Sequence, residues 1–173
     1  MKPFVFNSTP LIYLAKVGLS KVLEDLKEDK VTSPEVKREV VDEGRRKGVP
    51  DAVVLEKLFS SKVFRVVESK DKKFLSRLLK TKGFHVTDAE VLALAHELDG
   101  LAVVDDEVAR KTAKVYGIAY VGTAYVLVRA VSEGIITRDR ARQAVNDMVS
   151  AGWRCSIESY ARIMEALEKA LGN

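Results

Sequence analysis

The sequence predicts an α/β fold: three α/β/α layers around a mostly parallel central sheet of four to five strands. Two observations carry the prediction. Short apolar runs alternate with longer segments of helical periodicity, which is the pattern of βαβ units. Three of those runs also end in a polar residue directly before a helical segment: Asn7 after the first, Asp105-Asp106 after Val104, and Thr123 after Val121. The 173 residues suit one domain over 1–173, with helices 137–150 and 157–171 packing on it or extending it.

Phe4-Val5-Phe6 reads as the first buried strand. Thr9 is expected to cap the next helix, with Pro10 at its first position, where a missing N–H costs nothing. Leu11, Leu14 and Ala15 give that helix a core face and Gly18 ends it. Residues 19–30 continue as a second short helix, and Val31-Thr32 form a minimal strand. Ser33-Pro34 opens a helix to Gly44 with Val36 and Val40 on one face, and residues 45–50 are a charged linker. A helix over 52–59, an edge strand or hairpin piece over 63–67 and a basic helix over 74–80 follow.

Thr87-Asp88-Ala89-Glu90 has the form of a capping box, and Val91, Leu94, Ala95 and Leu98 keep helical spacing behind it. Asp99-Gly100 turns the chain into the strand Leu101-Ala102-Val103-Val104. A helix over 107–115 stops at Gly117, residues 118–121 form another strand, and Gly122-Thr123 opens a helix over 124–131. In the last helix Ile157, Tyr160, Met164, Leu167 and Leu171 recur at steps of three and four, as one apolar stripe should.

Composition narrows the chemistry. One cysteine excludes an intrachain disulfide framework and a Cys-based structural zinc site, and suggests a reducing setting. Two histidines, His85 and His96, leave little material for a multi-His cage or a Ser-His-Asp triad. The net charge of +4 is compatible with a polyanionic partner. The longest uncharged run, Val115 to Val128, is too short to span a bilayer, and the N-terminal residues resemble neither a signal nor a transit peptide, so a cytoplasmic protein with no membrane partner is expected.

In a parallel sheet the polar strand ends lie along one edge, where α/β folds gather their ligands. Asp88 at a helix mouth and Glu39 inside the helix begun at Ser33-Pro34 can face the same crevice. Oxygen ligands with almost no His or Cys select a hard cation, Mg²⁺ or Mn²⁺, which can lower the pKa of a bound water and clamp phosphate oxygens. Taken singly, each acid has a plainer explanation: Glu90 as the partner of Thr87 in the capping box, Asp88 as a favourable charge at a helix start, Glu35, Glu39 and Glu43 as a solvated stripe, and Asp105-Asp106 as caps. Their joint placement favours a metal-dependent site for a phosphorylated substrate. Neither G-x-G-x-x-G nor G-x-x-x-x-G-K-[ST] occurs, which argues against a nucleotide-binding module.

Five ordered pieces carry a resemblance: Val5 to Ile12, Ser33-Pro34-Glu35-Val36 through Glu39, Asp88 to Ala95, Val103 to Asp106, and Gly122-Thr123. Together they resemble the PIN domain family, the metal-dependent nuclease fold that includes VapC-type ribonuclease toxins. The Asn-Ser-Thr-Pro-Leu-Ile start is similar to that of one prokaryotic branch. The resemblance implies metal ligands at Asn7, Glu39, Asp88 and either Asp105 or Asp106, with the Thr9 hydroxyl orienting a ligand or a metal water. It implies Mg²⁺- or Mn²⁺-dependent endonucleolytic hydrolysis of RNA, a homodimer and, for a toxin, a silencing antitoxin protein. Glu43, Glu90 and Thr123 are candidates for support, and Arg110, Lys111 and Lys82 for RNA contact. The departure is Asn7, where the family's common pattern has Asp. An amide brings no negative charge, so the alternative is a catalytically degenerate PIN fold that acts as an RNA- or protein-binding module.

Overall fold

The computed structural model describes residues 1–170, so Leu171 of the expected last helix lies outside the described residues. Five strands form one all-parallel sheet in the order β3-β2-β1-β4-β5: β1 (Phe4–Phe6), β2 (Lys30–Thr32), β3 (Arg65–Val66), β4 (Leu101–Val103) and β5 (Tyr120–Val121). β1 is central, and Phe4, Val5 and Phe6 are all buried, as a strand covered on both faces requires. Phe6 meets Phe64 edge to face with ring centroids 5.6 Å apart.

The helices are α1 (Ser8–Lys16), α2 (Ser20–Asp25), α3 (Pro34–Lys37), α4 (Gly44–Arg46), α5 (Pro50–Ser60), α6 (Lys72–Leu79), α7 (Val86–Glu97), α8 (Glu107–Val115), α9 (Thr123–Ser132), α10 (Arg138–Ser150) and α11 (Ile157–Lys169). Right-handed crossovers place α1, α2 and α5 on one face of the sheet, because β1, β2 and β3 step in one direction. The return to β4 and on to β5 places α6, α7 and α8 on the other. The packing agrees: α1 meets α5 and α10, while α7 meets α6, α8, β1 and β4. α9 packs against α10 and α11. Among the described residues no helix is long and apolar enough to cross a membrane.

Several boundaries differ from the sequence expectation, each for a local reason. α1 is capped by Asn7 rather than Thr9: Asn7 is extended (φ −86°, ψ 173°) and its Oδ1 accepts the Ser8 N–H at 2.8 Å. Pro10 then sits third in the helix, where its lost N–H would still be without an intrahelical partner. α2 ends at Asp25 rather than continuing to residue 30, because Lys30 belongs to β2 and its Nζ donates to the carbonyls of Leu26 (2.6 Å) and Glu28 (3.0 Å). The segment from Pro34 to Arg46 is not one α-helix to Gly44. A π-helical turn, Arg38–Glu43, separates α3 from α4, and the first residues of the expected linker are helical.

α7 begins at Val86 with His85 as cap. The acid that reaches back to it is Asp88, whose Oδ2 accepts the His85 N–H at 3.3 Å, so the Thr87–Glu90 box does not form. In α11 Leu167 is buried, but Ile157 at the first position is 89% exposed and leaves the expected stripe.

The strand order fixes where a ligand can sit. The chain builds β1, β2 and β3 to one side and then β4 and β5 to the other, so a crevice opens at the carboxyl ends of β1 and β4. The Asn7 N–H donates to the Val103 carbonyl at 3.1 Å, which sets the residues after β1 beside those after β4.

Candidate functional site

At that switch point lies a cleft of about 480 Å³ with three walls. Asn7, Ser8 and Thr9 come from the end of β1 and the start of α1. Glu35, Arg38, Glu39 and Glu43 come from α3 and the π-helical turn, where the four-residue spacing of the acids keeps them on one wall. His85, Asp88, Asp105 and Asp106 close the remaining sides from the mouth of α7 and the end of β4. Residues separated by up to about a hundred positions are thus brought together, including Asn7, Thr9, Glu39, Glu43, Asp88, Asp105 and Asp106 from the sequence-predicted set.

Short hydrogen bonds order the centre. Asn7 Nδ2 donates to Asp88 Oδ1 at 2.6 Å, in a buried contact, while Asn7 Oδ1 is held by its own helix start. Ser8 Oγ donates to Glu39 Oε2 at 2.6 Å. The hydroxyl that touches an acid is therefore Ser8, buried, whereas Thr9 lines the rim exposed. Arg38 pairs with both Glu35 and Glu43, and these bonds hold its guanidinium firmly charged.

The two neighbouring acids after β4 divide their roles. Asp105 is fully engaged: Oδ1 accepts the Thr123 N–H at 2.8 Å, and Oδ2 accepts Thr123 Oγ1 at 2.6 Å and Trp153 Nε1 at 2.9 Å. Arg110 Nη2 lies 3.5 Å from Oδ1, and its Nε donates to the Val104 carbonyl at 2.9 Å. Asp106 caps α8 with one oxygen, accepting the Ala109 N–H at 2.9 Å, and its charge is felt by Asp88. Both line the cleft, Asp105 as a bonded strut and Asp106 with one oxygen outside its capping bond.

Gly122 is the space this strut needs. Its φ of −108° suits any residue, so the requirement is volume and not conformation. A Cβ there would stand 2.9 Å from Asp105 Oδ1 and closer still to the Arg110 guanidinium. Gly122→Ala is expected to destabilise the fold by about 1–3 kcal/mol, the usual range for overpacking. Urea unfolding measures it; a variant as stable as wild type would show that the strut yields freely.

The other predicted residues lie elsewhere. Thr123 serves the site through Asp105. Glu90 does not line the cleft, and its buried Oε2 has no hydrogen-bond partner among the described residues. Arg110 is committed to Val104 and Asp105, Lys111 pairs with Glu107 at 2.6 Å, and Lys82 is exposed outside the cleft. Sequence reasoning missed Ser8, which a run of two hydroxyl residues after Asn7 could have offered, and Trp153, for which no local signal exists.

Burial pushes the Asp88 carboxyl above the usual aspartate range, and the charge of Asp106 adds to the push. Bonds from Asn7 and from the His85 N–H pull it partly back. A raised value in the folded state favours the protonated form, so the contribution is fully present below the ordinary value of 3.8 and is lost as pH rises through the folded value. The metal-free protein is therefore expected to gain stability on acidification across that window, relative to Asp88→Asn. Denaturation midpoints at several pH values test this, and parallel profiles for the two proteins would refute it.

Six acids and a single guanidinium, already paired, line the cleft, so it is negative. Among the described residues no three acids stand close enough to cage an ion. The donors fit instead the hydrated mode of Mg²⁺, which keeps several waters and takes one or two carboxylates. Asp88 and Asp106, with Glu39 across the cleft, are of that kind.

The comparisons with known proteins add the lineage. No curated protein matches the chain. The family model of the PIN domain matches residues 3–169. Because that match runs through every strand and helix described above, the chain belongs to the PIN domain family, whose fold is of the nuclease type.

Proposed function

We propose that this chain is a metal-dependent endoribonuclease that hydrolyses phosphodiester bonds of RNA. The observation that supports the reading best is the meeting of Glu39, Asp88 and Asp106, from three separate parts of the sequence, in one cleft at the carboxyl ends of β1 and β4. A phosphodiester is repelled by such a cleft unless a cation neutralises it. Asp88 and Asp106 are the residues to hold Mg²⁺ or Mn²⁺, with Glu39 positioned by Ser8 to accept a proton from water or to take part in binding. The ion, when bound, supplies an acidified water and neutralises phosphate charge. Asn7 keeps the Asp88 carboxylate fixed in orientation, and the Asp105 strut holds the backbone that presents Asp106.

One observation favours a second reading, a PIN fold that binds RNA without cutting it: Asn7 turns an N–H donor, not an oxygen, toward Asp88. Single-stranded RNA incubated with Mn²⁺ or Mg²⁺ separates the two. The nuclease reading expects internal cleavage that stops on addition of EDTA. RNA binding without cleavage at any metal concentration would favour the second.

A further inference from the structure

The acid cleft does not end at Asp106. A smaller hollow of about 290 Å³ adjoins it, sharing Thr9, Asp105 and Asp106, and is also lined by Trp153 and Arg154. Trp153, Arg154 and Asp105 also border a pocket of about 270 Å³ between the start of α9 and α11. Arg162 of α11 and Tyr125 of α9 line this last pocket together with Arg110. The three hollows adjoin through shared lining residues, from the acids to a group of arginines.

The charge reverses across these hollows. The first cleft is acidic, while the last pocket has three guanidiniums and one carboxylate, and that carboxylate, Asp105, is already bonded to Thr123 and Trp153. Arg154 has no ion pair or hydrogen bond among the described residues. Arg162 makes only a long 3.4 Å bond from Nε to the Glu158 carbonyl, which leaves both Nη groups available. A guanidinium presents a planar fork that matches phosphate oxygens. The volume lies just below the ~300 Å³ at which ordinary small-molecule pockets begin, and it suits a backbone phosphate with its sugar. Tyr125, 43% exposed at the edge, offers a ring face to an unpaired base.

We propose that the pocket of Arg154 and Arg162 binds a backbone phosphate of single-stranded RNA whose neighbouring segment lies in the acid cleft. This rests on the reading of the cleft as an RNA site. Trp153 sits between the two regions with its indole N–H fixed on Asp105, so the strand crosses a rigid sill. Asp88 and Asp106 would hold a cation that neutralises the strand at the acids, while Arg154 and Arg162 grip it where no metal is needed.

Binding, measured apart from cleavage, tests the proposal. A fluorescent single-stranded RNA is titrated with the full chain at several salt concentrations, in EDTA and again with Mg²⁺, where gel analysis scores cleavage separately. The double variant Arg154→Ala/Arg162→Ala is compared with wild type and with Lys21→Ala/Lys57→Ala, which removes two charges from α2 and α5 that line none of the hollows. The arginine variant is expected to bind about tenfold more weakly. Its slope of log affinity against log salt should be shallower by roughly 0.7, the contribution of one lost phosphate contact on a single strand. The lysine variant should match wild type. A DNA strand of equal length should lose affinity in parallel, because the contact is to phosphate; a loss confined to RNA would overturn phosphate recognition. Unchanged affinity and slope in the arginine variant, or wild-type protein that binds neither in EDTA nor with Mg²⁺, would overturn the pocket. Wild type that binds through these arginines yet never cuts leaves the pocket standing and overturns the nuclease reading instead.

Discussion

Replacing Asp88 with alanine is expected to lower RNA cleavage on the order of a hundredfold or more while the fold persists. Asp88 is the buried acid of the cleft, and it is held by two donors, Asn7 Nδ2 and the His85 N–H. Removing it takes away both a carboxylate that holds the cation and the group against which Asn7 is ordered, and second-sphere losses alone commonly cost metal sites 10–100-fold. The structural penalty is smaller. Loss of a capping acceptor costs about 1 kcal/mol, and it is offset by release of a buried charge. Asp88→Asn is the companion variant, since it keeps the shape and an acceptor for His85. Steady-state cleavage of a labelled RNA, with circular dichroism to verify folding, decides the matter. Turnover at the wild-type rate in either variant would remove Asp88 from the site.

Asn7→Asp should have the second-largest effect, with opposite signs on two readouts. Asn7 Nδ2 is 2.6 Å from Asp88 Oδ1, so a second carboxylate there would place like charges in contact in a buried setting. Without metal the pair should share one proton at neutral pH and lower the melting temperature. With metal the added charge becomes a ligand, and Mn²⁺ affinity should rise on the order of tenfold, because hard-cation sites are tuned by the number of charged ligands. Calorimetric Mn²⁺ titration and thermal melts with and without metal measure both. Equal Mn²⁺ affinity in the variant and wild type would mean that position 7 does not face the ion.

Much of the cleft is readable from the chain because its residues occupy places that sequence marks well. Asn7 and Asp105-Asp106 follow apolar strands directly, and an all-parallel sheet makes every such end a neighbour of the same edge. What could not be read depends on partners far away in the chain. Nothing near Asp105 and Asp106 tells which one is bonded as a strut; Thr123 and Trp153, 18 and 48 residues on, bond the first. Thr87 and Glu90 have the sequence form of a capping box, but α7 starts at Val86 because Asp88 is held both by the His85 N–H and, from across the cleft, by Asn7. The π-helical turn has no sequence mark of its own, although the glutamates it carries keep the shared face that their spacing predicts. The choice of Ser8 over Thr9 follows from a helix that begins two residues earlier than a proline at its first position would suggest.

The bond between Trp153 and Asp105 has a practical side as well. Trp153 is the chain's one tryptophan, so its near-ultraviolet emission comes from a single indole whose N–H rests on a carboxylate next to Asp106. The protein thus carries its own optical gauge at the sill of the cleft. A change in the electric field at these acids, whether from a cation, a proton or a passing nucleotide, reaches that chromophore through one hydrogen bond, with no label attached.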